Sequence, residues 1–261
     1  MAVRCVYTDL DDTMLGRGAS LFRTAEGDFT LLAARALEAC HRAGAEVVIV
    51  SGRRRAQVME DARLIGQSSY AFELGAGLVI DGELTFLTGE LQPRDGLSVH
   101  RQIADSGAPD LLLERYGGPP AGLEPHAPWH LGREVSHLFR GRLDTAEANA
   151  LLEAEGHGGL RLVDNGPVGS ERSAFHLIPA VCSKAAAVAA HMRARGYAPE
   201  ECICVGDSPE DLDVAEVVGR GFLVANATVG EGGARVNVER TEAPMSEGFY
   251  EAVVRALAES R

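Results

Sequence analysis

The sequence predicts an α/β protein in which a doubly wound parallel sheet is interrupted by an inserted α+β segment. Three observations carry this. Short β-branched runs alternate with helical-period stretches toward the N-terminus, the same rhythm returns toward the C-terminus, and the middle differs from both in composition.

The first strand is expected over Val3 to Thr8, an apolar run that ends abruptly in acidic residues. A helix follows near Thr30 to Arg42, with Leu32, Ala36, Leu37 and Cys40 near helical spacing and Gly44 placed to end it. Glu46-Val47-Val48-Ile49-Val50 reads as a strand covered on both faces, as in a parallel sheet. A helix over Arg54 to Leu64 and a strand over Tyr70 to Glu73 complete the first half. The late rhythm runs through a helix at Lys184 to Arg195, a strand at Glu201 to Val205, and a short helix from Pro209 to Val217. A strand at Gly221 to Ala225 and a closing helix over Ser246 to Ser260 follow. Pro209 sits at a helix start, where proline is tolerated. Between these halves lie 8 of the 11 prolines and the only tryptophan. Alternating runs such as Glu134 to Phe139 and a hairpin expected at Asp164-Asn165-Gly166 make this part α+β. The expected division is therefore 1–82 with 180–261 as core and 83–179 as insertion.

A chain of 261 residues with 46% hydrophobic and 24% charged residues has the composition of a folded globular protein. Its net charge of −13 supplies no general positive field, which argues against nucleic acid or an anionic membrane as partner. No apolar run approaches the roughly 18–20 residues that span a bilayer, and the N-terminus lacks a signal-peptide layout, so a cytoplasmic location is expected. The five cysteines are odd in number and lie mostly in apolar runs. Cys202-Ile203-Cys204 has no partner at metal-ligand spacing, so a buried structural role is expected for them.

Four separated pieces are each expected to follow the carboxyl end of a strand: Asp9-Leu10-Asp11-Asp12-Thr13, Ser51-Gly52, Lys184, and Gly206-Asp207-Ser208-Pro209-Glu210-Asp211. Open α/β sheets bind ligands at that edge. Asp9, Asp11, Asp207 and Asp211 gathered in one cleft repel one another, and a hard divalent cation with oxygen ligands such as Mg²⁺ relieves that repulsion. Ser51 offers a hydroxyl, Gly52 a backbone N–H and Lys184 a positive charge, which together make an anion cradle. A lysine in the first turn of a helix opposes the helix dipole, so it has reason to serve another group.

In this order, the pieces resemble the four motifs of the haloacid dehalogenase superfamily. The resemblance implies a Rossmann-like core and phosphoryl transfer through an aspartyl phosphate. It makes Asp9 the nucleophile and Asp11 the general acid and base, and has Thr13, Ser51, Gly52 and Lys184 hold the phosphoryl group. Mg²⁺ falls to Asp9, Asp11, Asp207 and Asp211. The insertion between Ser51 and Lys184, with Phe72-Glu73-Leu74-Gly75-Ala76 ahead of it, resembles the subgroup with a large α/β cap. That subgroup includes the Cof-type, sucrose-phosphate and mannosyl-phosphoglycerate phosphatases. The expected substrate is then a small phosphorylated metabolite, a sugar phosphate or phosphoglycerate derivative, with Arg133, Ser136, His137, Arg140 and His176 as substrate-selecting residues of the cap. Asp12, Leu74 and Glu210 depart from the residues frequent in that family, and none of the three removes a group the chemistry requires.

Asp11 favours ester hydrolysis over the dehalogenase branch, because an alkoxide leaving group needs a proton and a halide does not. A phosphomutase with the same nucleophile remains an alternative. A receiver-like signalling domain is a second, although such a domain is about half this length and has no insertion. The oligomeric state is not expressed in the sequence.

Overall fold

The computed structural model describes residues 2–169, 171–229 and 235–259. The chain forms two compact units, Met1–Thr85 with Ser183–Arg261, and Phe86–Cys182.

The first unit begins with β1 (Cys5–Thr8), fully buried along its length, and a non-helical turn over Leu10–Met14. Next come α1 (Leu32–Ala43), β2 (Glu46–Val50), α2 (Arg55–Leu64) and β3 (Tyr70–Phe72), then β4 (Gly77–Ile80) and β5 (Glu83–Phe86). Gly44 ends α1 in the left-handed conformation at φ 70°, and its N–H returns to the carbonyls of Cys40 and His41.

The second unit contains α3 (Val99–Asp105), α4 (Ala108–Tyr116), β6 (Glu124–Pro125), β7 (His137–Gly141), α5 (Thr145–Ala154), β8 (Leu160–Val168) and β9 (Arg172–Pro179). Its four strands form an antiparallel sheet in the order β6-β7-β9-β8. The Asn149 side chain ties α5 to β8, donating to the Leu162 carbonyl at 3.0 Å and accepting from the Leu162 N–H at 2.7 Å.

The chain then returns through α6 (Lys184–Arg195), β10 (Cys202–Gly206), α7 (Pro209–Val214), β11 (Arg220–Leu223), β12 (Val238–Arg240) and α8 (Met245–Glu259). The core sheet has eight strands in the order β12-β11-β10-β1-β2-β3-β4-β5. β12 through β3 pair in parallel and β4 runs antiparallel to β3. β1 lies between β2 from the first half and β10 from the second. The strand order reverses there, and such a reversal opens a crevice beyond the carboxyl ends.

The α/β class and the doubly wound parallel core are those expected from sequence. Two details differ. The strands β4 and β5 extend the sheet beyond the purely parallel pattern. The hairpin turn also does not fall at Asp164-Asn165-Gly166. β8 continues through that segment, with Asp164 opposite Phe175 and Pro167 opposite Ser173, so three steps on one strand face two on the other. This is a bulge, supported by Gly166 at φ 94° and by its N–H donating to Asp164 Oδ1 at 2.8 Å. β8 ends at Val168 and β9 begins at Arg172. Ser260, expected to end the last helix, lies outside the described residues, as does Met1.

Gly75 follows Glu73 and Leu74, both buried and both at positive φ, and itself has φ +84°. A Cβ on Gly75 would lie 2.2 Å from the Ser183 carbonyl oxygen, immediately before α6. Gly75→Ala should therefore lower the denaturant midpoint, by about 1–3 kcal/mol in unfolding free energy. An unchanged midpoint would refute this account of the close approach.

Candidate active site

β1, β2 and β10 end side by side, with Cys5 in register with Glu46 and with Cys202. Asp9, Ser51 and Asp207 each follow one of these strands, so the sheet register sets their spacing. Asp9 is held by its backbone N–H on the Val205 carbonyl at 3.1 Å. Ser183 caps α6, its hydroxyl accepting from the Ala186 N–H at 3.0 Å, and thereby starts the helix at Lys184.

Lys184 is 3% exposed, and its ammonium donates to Asp9 Oδ1 and to Asp211 Oδ1, each at 2.8 Å. The other oxygen of Asp211 accepts from the N–H groups of Asp207 and Ser208 at 3.2 and 3.1 Å and from the Ser208 hydroxyl at 2.6 Å. This capping box opens α7 and fixes Asp211 from behind. Gly206 makes room for it: a Cβ there would lie 2.2 Å from that of Asp211. Asp207 accepts from the Thr13 hydroxyl at 3.2 Å, while its carbonyl accepts from the Thr228 N–H at 2.9 Å.

Asp9, Asp207 and Asp211 bring carboxylate oxygens within 4.8 Å of one another. Burial, opposed by Lys184 but reinforced by Asp211, Asp207 and Asp11, raises the Asp9 carboxyl well above the ordinary range. Burial and the neighbouring Asp211 push Asp207 up to about 7. Burial works against the Lys184 charge, but Asp211 and Asp9 outweigh it and raise its proton affinity. The donor set is all oxygen, crowded and short of positive charge, which fits a hard divalent cation. With both Asp211 oxygens engaged inside the protein, Asp9 and Asp207 are the carboxylates best placed to hold it.

The predicted residues thus divide. The structure brings Asp9, Asp207, Asp211, Lys184 and Thr13 together. Ser51 accepts from the Arg53 N–H at 3.2 Å, with Gly52 between them. Asp11 stands apart, half-exposed and paired side-on with Arg53, whose Nε and Nη2 donate to Oδ2 at 2.8 Å and Oδ1 at 2.5 Å. In the second unit, Arg133 donates to the Ser136 hydroxyl at 3.0 Å and His176 Nδ1 lies 3.2 Å from the same oxygen, all three residues buried. His137 instead stacks on His100 at 3.8 Å between ring centroids, and Arg140 pairs with Glu124 at 2.9 Å. Sequence reasoning missed Arg53 and Asn226. Asn226 donates to the Asp12 carbonyl at 2.8 Å and steadies that acidic turn. Arg53 carried a signal, since it directly follows the anion-cradle pair Ser51-Gly52.

A family model described as haloacid dehalogenase-like hydrolase matches residues 161–230. The phosphoglycolate phosphatase of Methanoculleus marisnigri is 26% identical over 251 residues, 96% of this chain and 95% of that one. The phosphoglycolate phosphatase of Natronomonas pharaonis is 36% identical over 103 residues, 40% of this chain and 42% of that one. Among solved structures, the sucrose-phosphatase of Synechocystis sp. PCC6803 superposes with a TM-score of 0.65 at 17% identity, covering 98% of each chain. Part of the chain thus matches the haloacid dehalogenase-like hydrolase family, and nearly its whole length is similar to proteins named phosphatases. No helix among the described residues is long and apolar enough to cross a membrane.

Replacing Lys184 by Met should leave its carboxylate neighbours buried without a counter-charge, at a cost of about 3–5 kcal/mol in EDTA at pH 8. The cost should shrink toward pH 5, because the crowded carboxylates then take up protons. Urea unfolding at the two pH values measures both, and equal destabilisation at pH 5 and pH 8 would contradict the electrostatic account.

Proposed function

We propose that the chain hydrolyses phosphate monoesters of small metabolites, with Asp9 as nucleophile, Asp11 as general acid and base, and Mg²⁺ as cofactor. The observation that carries this reading is the buried Lys184 ammonium set 2.8 Å from both Asp9 and Asp211 within the carboxylate cluster. An ammonium in that place orients Asp9 and offers positive charge to a phosphoryl group brought up to it.

In the proposed reaction an Asp9 oxygen attacks phosphorus and the bond from phosphorus to the ester oxygen breaks, with Asp11 giving that oxygen its proton. A water then attacks phosphorus and loses a proton to Asp11. The bond to Asp9 breaks, inorganic phosphate leaves, and both carboxyl groups return to their starting states. Asp9 and Asp207, with Asp211 behind them, would hold Mg²⁺, which when bound would supply charge neutralisation for the phosphoryl oxygens. Ser51, Gly52 and Lys184 are assigned to the phosphoryl group, and Thr13 to the support of Asp207.

Residues 86–182 are assigned to substrate choice, with the Arg133, Ser136 and His176 cluster as the polar group to test first. The two phosphoglycolate phosphatase relatives make a small phosphorylated hydroxy acid the first substrate class, and 2-phosphoglycolate the first compound, ahead of sugar phosphates.

Release of inorganic phosphate from a phosphometabolite panel tests the activity. Asp9→Asn should fold and lose at least about 10³-fold in turnover. Wild-type turnover in that variant would overturn the nucleophile, and an isomerised product without phosphate release would point to a mutase.

The acidic cluster also sets a pH dependence. The folded protein holds a proton on Asp207 up to about pH 7, while an unfolded aspartate loses it near 3.8. The folded state therefore binds more protons between those values, and this group lowers stability as pH rises through that window. Mg²⁺ favours the ionised form, so it should raise the unfolding midpoint more at pH 8 than at pH 6. Calorimetry with and without MgCl₂ measures this, and Asp207→Asn should remove most of the Mg²⁺ effect.

A further inference from the structure

Arg53 is pinned at its main chain, where its N–H donates to the Ser51 hydroxyl oxygen at 3.2 Å and its carbonyl accepts from the Glu73 N–H at 2.9 Å. Its side chain, 19% exposed, is used on two fronts. One edge of the guanidinium meets both oxygens of Asp11, and the remaining nitrogen, Nη1, donates to Asp61 Oδ2 at 2.9 Å. Asp61 lies on α2, eight residues beyond Arg53 and on the same unit of the fold.

Stability alone gives a weak reason for this arrangement. An ion pair whose carboxylate is half-exposed contributes about 0–1 kcal/mol. Geometry gives a better one. Asp11 sits in a turn that is not helical, and its successor Asp12 has φ 56°, so no regular backbone hydrogen bonding fixes the direction of the Asp11 side chain. A planar guanidinium meeting a carboxylate edge-on sets both its distance and its plane, which an ammonium cannot do. Arg53 is itself held against rotation by Asp61. The arrangement is that of a reacting group, a partner that orients it, and a third group that orients the partner.

We propose that Arg53 and Asp61 are positioning residues for Asp11: Asp61 fixes the guanidinium of Arg53, and Arg53 fixes the carboxylate that exchanges protons with the ester oxygen and with water. This rests on the acid–base role proposed for Asp11 above. The inference concerns side chains outside the carboxylate cluster of Asp9, Asp207 and Asp211.

The experiment compares wild type, R53Q, D61N, D11N and the double variants R53Q/D11N and R53Q/D61N at saturating MgCl₂. Substrates are an alkyl phosphate with a poor leaving group and p-nitrophenyl phosphate, whose leaving group needs little protonation. Circular dichroism and the thermal midpoint check folding, and R53K, which keeps the charge but loses the planar fork, replaces R53Q where the latter is unfolded. R53Q should lower kcat/KM about 10²-fold for the alkyl phosphate, the scale of a misplaced catalytic group. It should cost far less for p-nitrophenyl phosphate, with the alkyl-phosphate loss in kcat rather than KM. D61N should show the same selectivity with a smaller loss, about 10-fold. In the D11N background R53Q should change nothing further, and D61N should add nothing to R53Q. Equal losses for the two substrates, a loss confined to KM, or full additivity with D11N would overturn the proposal and make Arg53 a substrate contact or a structural residue. If wild type hydrolyses no ester of the panel, the hydrolase reading itself fails. If wild type and D11N behave as assigned while R53Q and D61N match wild type, only the positioning role fails.

Discussion

A lysine ammonium buried between two carboxylates organises this molecule. Lys184 and its neighbours are removed from water, where each charge alone carries a penalty of several kcal/mol, and only mutual placement offsets it. That placement reaches into many parts of the sequence. Ser183 must cap α6 so that Lys184 falls in its first turn, and Gly206 must lack a side chain so that Asp211 can close in. Ser208 and the N–H groups of 207 and 208 must hold the second Asp211 oxygen. The register of β1 against β10 must then bring Asp9 level with them. One interaction thus ties a helix start, a capping box, a glycine and a strand register to one another.

The same interaction separates the two aspartates of the N-terminal motif. Asp9 is buried, faces Lys184 and shares its surroundings with two further carboxylates. Asp11, two residues on, is half-exposed and meets an arginine. An extended backbone at Asp9, followed by the irregular turn at 11 and 12, is what sends the two side chains to different partners. Carboxyl groups so close in sequence acquire different chemistry through environment alone.

Much of the core was legible in the sequence because local signals and global fold agree there. Glu46 to Val50 and Lys184 to Arg195 occupy the bounds expected of them: a β-branched run bounded by glycine and serine has one good solution, and a serine-capped, glycine-ended alanine-rich run has another. The short β4 and β5 were not legible. Four-residue strands at a sheet edge carry little periodic signal, and the left-handed pair Glu73-Leu74 that turns the chain into β4 uses residues with no preference for that conformation. Asn165-Gly166 is a strong turn signal that the structure spends on a bulge, because the β8–β9 ladder resumes on its far side. The Asp11–Arg53–Asp61 chain was invisible for a different reason. It joins residues 42 positions apart through the end of one strand, the end of the next and a helix face, and only the assembled sheet defines that neighbourhood. In the second unit the cross-strand register, with Leu138 opposite His176, decides which polar residues meet.

The place of β1 in the sheet has a consequence for how the chain is made. β1 leaves the ribosome before β2, which can cover one of its edges after a short delay. Its other edge belongs to β10, which is not synthesised until the whole of 86–182 has emerged. For that interval a largely apolar strand presents an open row of backbone donors and acceptors, the template on which unrelated strands pair. Because the partner is almost two hundred residues away, closing that edge is a late, high-contact-order event. The position that gives Asp9 its neighbours on both sides also makes the nascent chain dependent on its second half, and exposes it to aggregation until that half arrives.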